Sequence, residues 1–182
     1  MGKKINLPDL TFFILYRQDT IERVENILLA TQYLIKNFKT NIEVLQCDLF
    51  NNGILKKLLD KTVKFRFTED NDPILFRTNY INRMIENCHT PNIAIWDADV
   101  IAPVLQIILA VELLRKGEAD FVYPYNRQFL DTTPILRKLF LKERKVEILE
   151  QNVLEMKHIL EPIENSVRQH KFHINKSFNF TK

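Results

Sequence analysis

The sequence predicts an α/β fold: a mostly parallel sheet in three layers with helices on both faces, and extra helices towards the C-terminal end. Segments rich in β-forming residues alternate with segments of helical periodicity up to about residue 125, the pattern of successive β-α-β units. Two of the strand candidates are unbroken apolar runs, as expected where a parallel sheet is buried on both faces. A chain of 182 residues, 46% hydrophobic and 27% charged, has the balance of one ordinary globular domain and not of a disordered chain.

Each element has its own local reason. The first strand is expected over 10–16, where Leu-Thr-Phe-Phe-Ile-Leu-Tyr runs without a charge. A helix follows, because Asp19 and Glu22 have capping-box spacing and Ile21, Val24, Ile27, Leu28, Leu34, Ile35 and Phe38 recur on one helical face. Residues 42–47 read as a second strand ending at Asp48, 52–59 as a short helix and 63–67 as a third, alternating strand. Asp70-Asn71-Asp72-Pro73 is a turn leading into a helix over about 76–87. Residues 92–97 form the next apolar strand. The helix over 102–116 has Pro103 near its first turn and Gly117 just past its end, the favoured asymmetry. A short strand is expected over 121–123.

Beyond Tyr125 the pattern changes. Asp131-Thr132-Thr133-Pro134 opens another helix, and Val146, Leu149, Val153, Met156, Ile159 and Leu160 mark an amphipathic one that ends before Pro162. Phe172, Ile174, Phe178 and Phe180 hint at alternation in the tail. The organisation expected is an α/β core over 1–130 and a helical C-terminal extension over 131–182 with a poorly defined tail.

Composition excludes several function classes. Glycine occurs only at Gly2, Gly53 and Gly117, so no window holds the paired glycines of a P-loop or a dinucleotide fingerprint. A bound nucleotide would have to be held by side chains and a metal. Cys47 and Cys88 lack CxxC spacing, which argues against zinc or a disulfide framework. No signal peptide is expected. The longest apolar stretch, 100–114, is interrupted by Pro103, Gln106 and Glu112 and is too short to span a bilayer. A cytoplasmic protein is the expectation. The formal net charge is +3, with ten Lys/Arg against six Asp/Glu from Arg137 to Lys182. That stretch reads as a solvated face, leaves room for peripheral membrane contact or a homo-oligomer, and gives no reason to expect nucleic acid.

The most informative segment is Ile93-Ala94-Ile95-Trp96-Asp97-Ala98-Asp99. An apolar strand delivers two carboxylates, one residue apart, to the sheet edge at which open α/β folds bind ligands. Hard oxygen donors of this kind suit Mn2+ or Mg2+, which bridge carboxylate to pyrophosphate and offset charge developing on a diphosphate leaving group. The plain alternative is a turn at Asp97 with Asp99 facing water or capping the next helix.

Asp97-Ala98-Asp99 resembles the Asp-x-Asp motif of GT-A fold glycosyltransferases, which use nucleotide-sugar donors. Two further segments strengthen the likeness. Leu15-Tyr16-Arg17-Gln18-Asp19 is similar to the Pro-Phe-Arg-x-Arg-like segment of galactosyltransferase-type members, without its proline. Phe76-Arg77-Thr78-Asn79-Tyr80-Ile81-Asn82 is similar to the Phe-x-Arg-x-x-x-x-Asn segment before the acidic strand, and the spacing from Asn82 to Asp97 matches family-2-type transferases. The resemblance covers residues 10–125. It implies a Rossmann-like GT-A core that binds a nucleoside-diphosphate sugar, with a UDP-sugar as the expected donor, and transfers the sugar to a glycan or lipid-linked acceptor.

The resemblance also implies roles. Tyr16, Arg17 and Asp19 would border the nucleotide base, and Asp48 would contact the base or ribose. Arg77 and Asn82 would approach the diphosphate or donor sugar. Asp97 would meet the ribose or metal-bound water, and Asp99 would be the principal ligand of a Mn2+ or Mg2+ ion held by Asp97 and Asp99. Trp96 or Tyr16 could supply an apolar wall. Each residue also has a structural alternative: Arg17 as an ion-pair partner, Asp19 as a helix cap, Asp48 in a turn, Asn82 on a helix surface.

The family pattern breaks downstream. Trp96 is the sole tryptophan and no glycine follows Gly117, so the Trp-Gly-Pro-Glu-Asp-like segment that helps bind the acceptor and supplies the base is absent. Glu143, Glu147, Glu150, Glu155, Glu161 and Glu164 look like a solvated helix face, and no catalytic residue is assigned. A truncated chain, or one that works with a partner and transfers slowly, is the expectation. Two other readings remain open: a haloacid-dehalogenase-like phosphatase with Asp97 as nucleophile, and a non-catalytic nucleotide-binding or interaction domain.

Overall fold

The computed structural model describes residues 3–125, 132–143, 145, 148 and 168–170. The chain divides into two units between Ile101 and Ala102; the boundary expected at 130/131 falls outside the described residues. In the first unit the elements are β1 (Ile5–Tyr16), α1 (Ile21–Asn37), β2 (Phe38–Asp48), α2 (Ile54–Leu58), β3 (Lys64–Glu69), α3 (Arg77–Glu86) and β4 (Asn92–Trp96). The four strands form one sheet in the order β3-β2-β1-β4, and every pairing is parallel. The α/β class and the parallel sheet agree with expectation. This strand order is that of one half of a doubly wound sheet.

Strand β1 is the spine, paired to β2 on one side and β4 on the other. Its side chains alternate between two buried faces. Phe12, Ile14 and Tyr16 lie on one and Phe13 on the other, all fully or almost fully buried. On the Phe13 face, Leu45, Cys47 and Met84 complete a cluster, with Leu75, Tyr80 and Ile85 packed against it; α3 therefore covers this face. The β1-α1-β2 crossover runs the opposite way along the sheet from β3-α3-β4, so right-handed connections put α1 on the Phe12 face. Trp96 pairs in register with Ile14 and meets Phe12 edge-on at a ring separation of 5.3 Å.

Three element boundaries differ from expectation. β1 begins at Ile5, five residues early, because the ladder tolerates Pro8 through a register shift between Asn6 and Thr11. Thr40 and Asn41 side chains donate to Leu10 O across that irregularity. β2 begins at Phe38 with no loop after α1, so Phe38 is core strand and not helix face. The cap of α1 is Thr20, whose hydroxyl accepts from Arg23 N; Asp19 instead pairs with Arg23 one turn on, at 2.9 Å. Glu43 is buried in β2 and holds Lys64 at 2.9 Å and Arg66, which neutralises a carboxylate that burial alone would make costly.

The second unit contains α4 (Val104–Arg115), β5 (Phe121–Tyr123), α5 (Pro134–Glu143) and β6 (Arg168–His170). Gly117, at a φ of +65°, ends α4: its N–H donates to Leu114 O and that of Glu118 to Leu113 O, the paired bonds of a Schellman stop. β5 pairs antiparallel with β6 in a separate two-stranded sheet, not with the parallel sheet. The amphipathic helix expected over 146–160, apart from Ile148, and the alternation at Phe172 to Phe180 lie outside the described residues. Among the described residues, no helix is long and apolar enough to cross a membrane.

Met84 is the helix residue most deeply set in the Phe13 cluster. Replacing it with alanine removes about 2–5 kcal/mol of stability through lost burial and an unfilled cavity, read as a lowered urea midpoint. A variant as stable as the parent would mean that α3 does not seal this face.

Candidate functional site

The strand order reverses beside β1: the chain steps outward from β1 to β2 and β3, then crosses back to β4. Helices on opposite faces diverge there, and a crevice opens beyond the carboxyl ends of β1 and β4. A hollow of about 280 Å3 sits among the residues of this switch point, lined by Leu15 and Leu75, by Arg23 and Asn26 of α1, and by Arg77, Asp97, Ala98 and Asp99. The acid pair flanking Ala98 thus shares one hollow with two guanidinium groups. Its turn is firmly held. Val100 N donates to Asp97 O at 3.3 Å, and the Trp96 indole N–H donates to Val100 O at 3.0 Å. Within the hollow Arg77 reaches Asp97 at 2.6 Å, with both side chains half exposed.

The eight residues singled out from sequence separate into three groups. Arg77, Asp97 and Asp99 meet at the hollow. Tyr16, Arg17 and Asp48 lie at the carboxyl ends of β1 and β2 but are turned to structural work. Asp19 is on the surface, paired to Arg23, and Asn82 is exposed on α3; neither lines the hollow.

Arg17 is a clamp. Its guanidinium donates to Cys47 O at 3.2 Å, Asp72 O at 2.9 Å, Pro73 O at 3.4 Å and Asp70 Oδ2 at 2.5 Å. It ties the loop after β3 to the ends of β1 and β2. Asp48 accepts the Gln18 backbone N–H and the Gln46 side-chain amide, closing the turn after β1. Tyr16 is fully buried. Burial, with the nearby Asp48 charge adding, pushes its phenol up to about 12. Its hydroxyl is a buried polar atom with no hydrogen-bond partner among the described residues. Trp96 and Tyr16 are core residues, not walls of the hollow.

Sequence reasoning missed Arg23, Asn26 and Asp70. Arg23 and Asn26 sit on the first turns of α1, where helical periodicity marks them only as polar positions. Asp70 carried a signal, its place in a turn after a strand, but its partner Arg17 is 53 residues away. Asp70 is held below the ordinary carboxylate range chiefly by the Asp72 backbone N–H. Burial opposes this, and the Tyr80 hydroxyl and the Arg17 guanidinium reinforce it.

As oxygen donors, Asp97 and Asp99 suit a hard dication that completes its shell with phosphate oxygens and water, as Mg2+ commonly does. Among the described residues, no group of three or more His, Cys, Asp or Glu gathers to hold a metal with protein ligands alone. In comparisons with known proteins, no family model, curated protein or solved structure matches the chain.

Asp70, held low chiefly by the Asp72 N–H and less by Tyr80 and Arg17, carries a pH signature. A carboxyl lowered by folding contributes stability that is complete above its unfolded value of about 3.9 and is lost as pH falls through the folded value. Asp70→Asn removes that contribution, so the acid limb of a urea-midpoint profile becomes shallower than in the parent. Superimposable profiles would rule out Asp70 as a source of acid sensitivity.

Proposed function

We propose that the first unit is a nucleotide-sugar-binding domain of GT-A type, taking a nucleoside diphosphate sugar, with UDP-sugars the first candidates, together with Mn2+ or Mg2+ at Asp97 and Asp99. The observation that carries this reading is the meeting of Asp97, Asp99, Arg77 and Arg23 in one hollow at the topological switch point. The three-layer Rossmann-like arrangement of that family accounts for the strand order and for the acid pair following the edge strand β4.

Each residue has a stated task. Asp97 and Asp99 hold the cation, which supplies charge neutralisation at the diphosphate when bound. Arg77 exchanges Asp97 for phosphate oxygens, which a planar guanidinium binds in bidentate fashion. Arg23, paired with Asp19 at rest, turns to the anion from the first turn of α1, where the helix end itself favours negative charge. Leu15 and Leu75 give the hollow its apolar wall. Among the described residues no third carboxylate lines it, so these residues bind and orient a donor and supply no base for an acceptor hydroxyl. Donor binding with slow or partner-assisted transfer is the activity this arrangement supports.

Thermal melts with UDP, a panel of UDP-sugars and Mn2+, alone and combined, test the reading. Mn2+ with a UDP-sugar raises the Tm, by an amount corresponding to about 2.7 kcal/mol at a hundred times the Kd. The rise is smaller with either component alone and absent in Asp99→Ala. A parent protein unmoved by every nucleotide and metal combination would reject it.

A further inference from the structure

The segment from β2 to β3 displays apolar side chains that the core does not use. Helix α2 buries Leu55 and Leu59 beneath it. Yet Ile54 and Leu58, on its outer side, are 46% and 51% exposed, and Leu49 and Phe50 in the preceding bend are 61% and 66% exposed. Ile54 and Leu58 are four residues apart and so share one stripe of the helix. The bend is rigid. Asn51 Oδ1 accepts from Gly53 N at 3.0 Å, Asn52 Oδ1 accepts from Ile54 N at 2.9 Å, and Gly53 adopts a φ of +68° that a side chain would strain. Four large apolar groups thus face water on this segment.

Basic side chains outnumber acids over 49–61, three lysines against Asp60. Lys56, Lys57 and Lys61 are exposed, and none takes part in an ion pair among the described residues. Asp60 accepts the Thr62 N–H and hydroxyl and Asp48 accepts from Gln18 and Gln46, so the carboxylates nearest in sequence are held by neutral donors and the segment keeps a net positive charge. A two-fold contact between copies would set these lysines against themselves, because such an interface apposes the same patch. An acidic bilayer satisfies both features, taking the apolar tips into the headgroup boundary while the lysines stay at the anionic surface.

We propose that the segment 49–61 docks the protein on acidic lipid bilayers, with Phe50, Leu49, Ile54 and Leu58 as interfacial anchors and Lys56, Lys57 and Lys61 as the electrostatic contact. The segment leaves β2 at the carboxyl edge of the sheet, the edge at which the hollow opens. A lipid-linked acceptor would then lie on the side of the donor; this corollary rests on the preceding functional reading, whereas the docking itself does not.

Cosedimentation of the full chain with phosphatidylcholine vesicles, with and without phosphatidylserine, tests it. The protein pellets with the serine-lipid vesicles and stays largely in the supernatant with the neutral ones. The double variant Lys56→Glu, Lys57→Glu lowers the partition coefficient at least about tenfold, since each basic residue contributes roughly 1 kcal/mol near such a surface. Phe50→Ser lowers it as well, and both variants keep the parent's circular dichroism and Tm because the altered side chains are exposed. Failure to pellet with serine-lipid vesicles, or pelleting that both variants leave unchanged, overturns the proposal. So does a concentration-dependent dimer that Phe50→Ser disperses, which would make a second copy the occupant. The Tm response to nucleotide and metal is read separately, so loss of one behaviour leaves the other measurable.

Discussion

Two parallel ladders on either side of β1 govern what the first unit can be. Each pairs β1 with a strand reached by a crossover in the opposite direction along the sheet, so both faces of β1 must be covered. Phe12, Phe13, Ile14 and Tyr16 meet that demand with side chains almost devoid of solvent contact. The crevice follows from the same geometry, because helices on opposite faces part where the strand order reverses. The acid pair lies at that parting because β4, the strand that carries it, is the one reached by the return crossover.

Arg17 and Asp70 form the second tier of this arrangement. The guanidinium joins the ends of β1 and β2 to the loop after β3, and that loop runs on through Leu75 to Arg77 at the hollow. The clamp therefore positions the start of α3 without itself facing the hollow. From sequence, the resemblance places Arg17 at the border of the nucleotide base. Here it contributes to the crevice by holding the chain that supplies the next arginine.

Legibility in the sequence followed the range of the forces involved. The unbroken apolar runs at β1 and β4, and the periodicity of α1, α3 and α4, depend on neighbours within a few residues, and the elements appear close to where the sequence places them. The early start of β1 was hidden because Pro8 and Asp9 look like a break; the register shift that admits them involves β2, some thirty residues away. The place of Asp97-Ala98-Asp99 at the end of a strand was legible from the apolar run before it, although β4 proves to be an edge strand with Ile95 48% exposed and not a strand buried on both faces. The diversion of Arg17, Tyr16 and Asp48 from the hollow was not, because it depends on partners that only the folded sheet brings together. The pairing of β5 with β6 was equally hidden, its partner being three residues in a weakly patterned stretch.

The pairing of Arg77 with Asp97 has one more implication. With Arg23 on Asp19 and Arg17 on Asp70, each guanidinium near the crevice already neutralises an acid at rest. Under the proposed function, an arriving anion would have to break one of these contacts and release a carboxylate. An Asp97 released in this way would be free for the proposed cation, so the two uptakes would be coupled by charge balance, each lowering the work of admitting the other.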